Sequence, residues 1–424
     1  KSNAKEKICG LASYAVLTVL TVAACWFFAG RYGVFGANMD WISQHSVFPE
    51  YFRQQFYKTG QFFPEYAANI GGGQNIYNFS YYGLYNPIVL IAYLLPFVKM
   101  SDYLMAASVI CLAVSVCLLY GWLKKRRFST EIALGVAVLF LLAGPMIYQS
   151  CHQIMFVQYM PFLLMTFLGV DRYWEKGKPG LYTLGVFLMI LTSFYFSIAG
   201  MAAIFLYGWY GYPKGIRKRK LFGFPVPMIV AVLSAGVLLV PTAYAILQRS
   251  GSSQSQNLKE LLMPNLQLDS SLYGTYSVGL TVILVAVLLG GIVCGSIRER
   301  VVSVVCVALL TVPVFAWGFN GMLYVRYKSL IPFLPFFCYL TAVFLKRMKN
   351  GEIGRWKGTF IFGGTVGVSL LALYLQGDGS RAQNYQLILI ESAALFFFFL
   401  IFQKWKRPFL LLVPALVCLM LINH

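Results

Sequence analysis

The chain has 424 residues, is 59% hydrophobic and only 11% charged. That composition excludes a soluble globule and reads as a polytopic membrane protein, helical rather than a barrel because its apolar runs are long and seldom broken by Gly or Pro. A formal net charge of +20 would suit nucleic acid, but the Lys and Arg gather in short clusters between apolar runs, so the charge reports positive-inside topology and no nucleic-acid partner is expected.

Each span needs about 20 apolar residues. Span 1 runs from Ile8 to Ala29, behind Lys5 and Lys7 on the inner side. No small-residue cleavage site follows it, so it reads as an anchor and not a signal peptide. A loop over residues 36–98 then lies outside. Its apolar stretch near residues 87–98 is too short to cross. If it did cross, Lys124, Lys125, Arg126 and Arg127 would fall outside. It is expected to be a half-embedded helix on the outer face, with span 2 from Ser101 to Leu123.

Spans 3 and 4 cover residues 130–149 and 155–173. The apolar run 180–211 lies between two basic clusters, so it must go out and return, with a tight turn at residues 193–197. Span 7 covers 226–247, and an outer loop over 249–274 leads to span 8 at 276–296. Spans 9 to 12 cover 301–317, 329–345, 359–376 and 385–402, and a last short span covers 409–423. The expectation is one all-α membrane domain over residues 1–424, with 13 spans, the N-terminus inside and the C-terminus outside. Nine cysteines, none in a CxxC pair and most within apolar runs, read as small buried hydrophobes, and no structural metal site is expected.

Nine basic residues fall outside against the positive-inside trend: Arg31, Arg53, Lys58, Lys99, Arg249, Lys259, Arg326, Lys328 and Arg381. Any one of them is explained by snorkelling to lipid headgroups. Arg326 and Lys328 resist that account best, because they flank Tyr327 beside a glycine-bracketed turn. A planar fork beside a point charge suits a lipid phosphate. Arg249 and Arg381 sit at analogous mouths of spans.

Among the outer acids Asp40 stands out. It lies about ten residues past span 1, beside Trp41, Gln44 and His45, where partial desolvation would make a carboxylate a better base. The competing reading is an N-cap for a helix from Trp41 to Lys58. Glu50 is expected to pair with Arg53 at i+3. Gly71-Gly72-Gly73 lacks a P-loop lysine and reads as a turn. Tyr77, Phe79, Tyr81, Tyr82 and Tyr85 form an aromatic patch, either an interfacial belt or a stacking surface for a sugar ring. Glu391 is the one acid deep in a span. Such residues suggest function, though a hydrogen bond to a nearby Ser or Tyr explains it equally well.

Asp40-x-x-x-Gln44, a following helix, Gly71-Gly72-Gly73, Tyr81-Tyr82 and Asn86-Pro87 together resemble the YfhO family of bacterial membrane proteins. The stretches SFYFS at 193–197 and VRYKSLIPFLP at 325–335 are similar to it as well. The resemblance implies the GT-C class of helical glycosyltransferases, with juxtamembrane helices in the first outer loop. It implies Asp40 as catalytic base and a polyprenyl-phosphate sugar as donor. The resemblance does not name the residues that hold the donor phosphate; on their chemistry and position Arg326 and Lys328 are expected to, with Arg249 and Arg381 as weaker candidates. Gln44, His45, Tyr77, Tyr81, Tyr82 and Asn86 would line the substrate site. The implied acceptor is a cell-envelope polymer such as lipoteichoic acid. A C-terminal outer domain is also implied, and none is expected within these 424 residues. No D-x-D or E-x-D motif lies near Asp40, so metal-independent transfer without a cofactor is expected. A lipid-linked sugar flippase and a non-catalytic envelope assembly protein are the alternatives from other classes.

Overall fold

A computed structural model describes residues 2–31, 35–36, 40–64, 66–70, 72–213, 215–248, 257–376 and 382–423. Each predicted apolar run contains helix, though the run 276–296 becomes helical only from Ile283, and the runs are not alike. Seven are single helices long and apolar enough to cross a membrane: Gly10–Ala29, Met100–Lys125, Ile154–Lys176, Phe194–Gly211, Tyr327–Lys349, Arg355–Gln376 and Tyr385–Trp405. Three more are bent pairs: Thr130–Leu142 with Gly144–His152 at 48°, Lys218–Ser234 with Gly236–Leu247 at 65°, and Ile297–Thr311 with Pro313–Phe319 at 79°. Gly180–Thr192, Ile283–Cys294 and Val413–Asn423 are shorter apolar helices. By length and composition the count is therefore seven to ten among the described residues, where the sequence suggested 13.

The breaks have local causes. Val312 takes an extended conformation because it precedes Pro313, where ring sterics disfavour the helical region. Gly236, a weak helix former, opens the second helix of its pair. The turn expected at 193–197 is sharp: Ser193 alone leaves the helical region, and its side chain accepts a hydrogen bond from the Phe196 amide.

The chain forms two compact units. One comprises Lys1–Phe28, Val116–Tyr148 and Ser255–His424; the other comprises Ala29–Ser115 and Gln149–Gln254. In the first unit Arg347 clasps one end of the bundle, reaching both Glu299 oxygens, the Glu352 carboxylate and the Cys294 carbonyl. Large side chains such as Leu11 and Trp26 stay exposed along Gly10–Ala29, as a lipid-facing helix requires.

In the second unit, Ile154–Lys176 packs against Gly180–Thr192 closely enough that a Cβ on Gly169 would sit 2.6 Å from the Tyr182 amide nitrogen. The loop over 36–98 belongs to this unit and folds into a small core of its own. Trp41, Phe52, Ile76, Phe79, Leu84 and Tyr93 are buried together with Ile154 and Leu238 from the surrounding helices. Tyr66–Ala67 and Gln74–Asn75 pair antiparallel, and Gly72 and Gly73 turn the hairpin at φ +78° and +94°, angles that glycine adopts without strain. Gly71 lies outside the described residues. Where a half-embedded helix is expected, the short helix Pro87–Ile91 forms, followed by a 3-10 turn at Ala92–Leu94. It is too short to cross, and Leu94 and Phe97 project from it 78% and 82% exposed.

Candidate functional site

Asp40 precedes a five-residue π-helix, Trp41–His45, which leads through Ser46 into the helix Val47–Thr59. A capping residue needs extended backbone and a side chain turned back on the first free amides. Asp40 has helical backbone, φ −70° and ψ −42°, and its side chain caps nothing. The capping alternative is therefore overturned. Instead Oδ2 of the half-buried carboxylate accepts a hydrogen bond from Gln153 Nε2 at 2.8 Å. Among the described residues no donor reaches Oδ1.

Gln153 escaped the sequence reading. It sits in a one-residue break, with φ −144° and ψ 120°, between Gly144–His152 and Ile154–Gln158. Five residues further on, Gln158 Oε1 accepts from Asn86 Nδ2 at 2.6 Å. Asn86 Oδ1 meanwhile caps the helix Pro87–Ile91 by accepting from the Ile88 amide at 3.0 Å. Asn86 is fully buried, so its amide holds the loop in place and does not line a substrate surface as expected. One short segment thus pins both ends of the loop.

His45 is buried at 1% exposure, with its ring 5.5 Å from that of Tyr82. Burial pushes its pKa down to about 4, and the Asp40 carboxylate offsets only part of that, so the imidazole is neutral near pH 7. Its Nδ1 has no hydrogen-bond partner among the described residues. Gln44 does not orient Asp40; its Oε1 accepts from Tyr82 OH at 2.6 Å. The tyrosine patch divides. Phe79 and Tyr85 point into the core, and Tyr77 OH bonds to Tyr85 OH at 3.0 Å. Tyr81 and Tyr82 stay half-buried, with Tyr81 edge-on to Tyr195 at 5.8 Å between ring centroids.

Arg53 is no lipid anchor. Paired with Glu50 as expected, it is 5% exposed and donates to the carbonyls of Ala92, Leu95 and Val98. It thereby satisfies acceptors that the short helix leaves open at its end. Lys58, Lys99 and Lys259 are exposed.

Arg326 and Lys328 belong to the other unit. Gly321 and Met322, at φ +67° and +61°, turn the chain there, and Asn320 Nδ2 ties the turn to the Tyr324 carbonyl at 2.7 Å. The Arg326 guanidinium lies over the Tyr276 ring at 5.0 Å, and Lys328 Nζ lies over the Tyr324 ring at 5.9 Å. Burial would raise the Tyr324 hydroxyl pKa, but Lys328 and Arg326 outweigh it and draw the pKa below its usual value. Arg249 and Arg381 lie outside the described residues, as does the side chain of Arg31. Glu391, also in this unit, accepts from Tyr273 OH and Thr281 Oγ1, both at 2.6 Å, which bears out the hydrogen-bonding reading of that acid.

The family described as "Bacterial membrane protein YfhO" matches residues 14–424. The chain belongs to the YfhO family. It is therefore a bacterial multi-pass membrane protein, as its composition and helices indicated. No curated protein matches the chain. Among solved structures it is similar to the crystal structure of ArnT from Cupriavidus metallidurans bound to undecaprenyl phosphate. Identity is 10% over 97% of this chain and 76% of that chain, with a TM-score of 0.47. A likeness that distant assigns neither fold nor function.

Proposed function

We propose that this YfhO-family protein is a GT-C-like glycosyltransferase. It moves a sugar from a polyprenyl-phosphate donor to a hydroxyl of a cell-envelope polymer, of teichoic or lipoteichoic acid type, at the outer face of the membrane. The observation that carries the reading is Asp40, a half-buried carboxylate that caps no helix, held at one oxygen by Gln153 and reached at the other by no donor among the described residues.

In this mechanism Asp40 Oδ1 takes the proton from the acceptor hydroxyl as its oxygen attacks the anomeric carbon. The bond from that carbon to the phosphate oxygen breaks, and the polyprenyl phosphate leaves with the electron pair. One displacement inverts the anomeric centre. Cations stabilise the leaving phosphate. Arg326 and Lys328 are assigned to it on their chemistry, and Arg249 and Arg381 keep the weaker assignment made from sequence. Tyr81 and Tyr82 are proposed to face the sugar, since both keep exposed ring surface. The proposal includes no metal, so EDTA is expected to leave the rate unchanged.

A flippase would need a polar path across the bilayer. Glu391, the acid best placed to line one, has both oxygens occupied by hydroxyl donors. The test is transfer of radiolabel from polyprenyl-phosphate hexose or N-acetylhexosamine to a glycerol-phosphate polymer by the purified protein and its Asp40→Asn variant.

A further inference from the structure

A carboxylate becomes an efficient base when one oxygen is fixed and the other is aimed, and when its partner does not lower its basicity. An Arg or Lys beside Asp40 would favour the charged form and weaken it as a proton acceptor. A neutral amide orients it at smaller cost. Gln153 supplies such a donor from a one-residue break between two helices. The residues after it, Ile154, Met155, Phe156 and Val157, are all essentially buried, so the amide is presented from a rigid support. Among the described residues the titratable group that faces Asp40 is His45, which is neutral.

We propose that Gln153 is the positioning residue of Asp40: its amide holds Oδ2 and thereby makes Oδ1 the proton-accepting atom. The proposal rests on the reading of Asp40 as base. A purely structural role is the competing account, because Gln158 on the same segment staples the loop at Asn86 without touching the carboxylate.

The experiment compares Gln153→Leu, Gln153→Glu, Gln158→Leu and Asp40→Asn. Two readouts are taken: the pH profile of transfer from a polyprenyl-phosphate sugar, and the protonation midpoint of Asp40. The midpoint comes from infrared difference spectra against Asp40→Asn, which need no turnover. Gln153→Leu is expected to lower kcat about 10- to 100-fold while the donor KM stays within about twofold. Gln153→Glu places a like charge beside the base, so the acid limb and the midpoint both rise by about one pH unit or more. Gln158→Leu lowers the melting temperature and moves neither.

A wild-type kcat in Gln153→Leu, or an unmoved midpoint in Gln153→Glu, overturns the positioning role and leaves Gln153 as packing. Wild-type transfer by Asp40→Asn instead overturns the base itself, and the positioning role with it.

Discussion

Two acids in this chain show how surroundings divide carboxylates between structure and chemistry. Glu391, in a membrane helix of one unit, is 3% exposed and receives a hydroxyl on each oxygen. Asp40, in the folded loop of the other unit, is half-buried and receives one amide on one oxygen. An acid that is buried and bonded on both oxygens stabilises its neighbours and stays out of a substrate's reach. A half-satisfied one is oriented and still able to accept a proton. Position in the membrane alone would have ranked them the other way, since deep acids are the usual functional suspects.

That contrast breaks if the two acids respond alike to substitution. Asp40→Asn should cut transfer about 100- to 10,000-fold, the range of general base catalysis, with little change in melting temperature, because Asn still accepts from Gln153. Glu391→Ala should do the reverse. It strands the Tyr273 and Thr281 hydroxyls without an acceptor, at a cost of about 4 kcal/mol, read as a lower melting temperature in detergent. A Glu391→Ala protein that melts like wild type would end the structural reading of that acid.

His45 sharpens the picture of the loop. Its pKa is depressed from 6.5 to about 4 by burial, so its contribution to stability is complete above about pH 6.5 and is lost as pH falls from there towards 4. The loss amounts to about 3 kcal/mol across that window. His45→Gln should flatten this part of the melting temperature's pH dependence, and an unchanged slope would show that the imidazole is not held neutral by burial. Arg53→Met should cost about 2 kcal/mol, concentrated where the carbonyls of Ala92, Leu95 and Val98 lose their donor. Faster amide exchange confined to residues 92–103 is the expected signature, and unchanged exchange there would return Arg53 to the role of a lipid anchor.

Much of this was legible in the sequence because it depends on local pattern. Apolar runs gave the helices, the basic clusters forced a turn at Ser193, and the glycine run gave a turn, which the structure places at Gly72 and Gly73 in a hairpin. The stretch 87–98 forms only a short helix and a 3-10 turn, in keeping with its short apolar length. What stayed hidden depends on contacts between distant residues. Gln153 closes the short polar run Gln149-Ser150-Cys151-His152 between two apolar stretches, 113 positions from Asp40, and no sequence pattern links the two. For Asp40 the sequence left base and helix cap both open; the π-helix that begins at Trp41 carries it into helical backbone and removes the capping role. Arg53 passed for a lipid anchor because its carbonyl acceptors lie about 40 residues further along the chain.

The most direct test of Asp40 as base is the initial rate of label transfer by Asp40→Asn, at equal amounts of folded protein, relative to wild type. The account predicts a loss of at least about 100-fold with an unchanged melting temperature. A rate within about twofold of wild type would contradict it and move the base elsewhere in the chain.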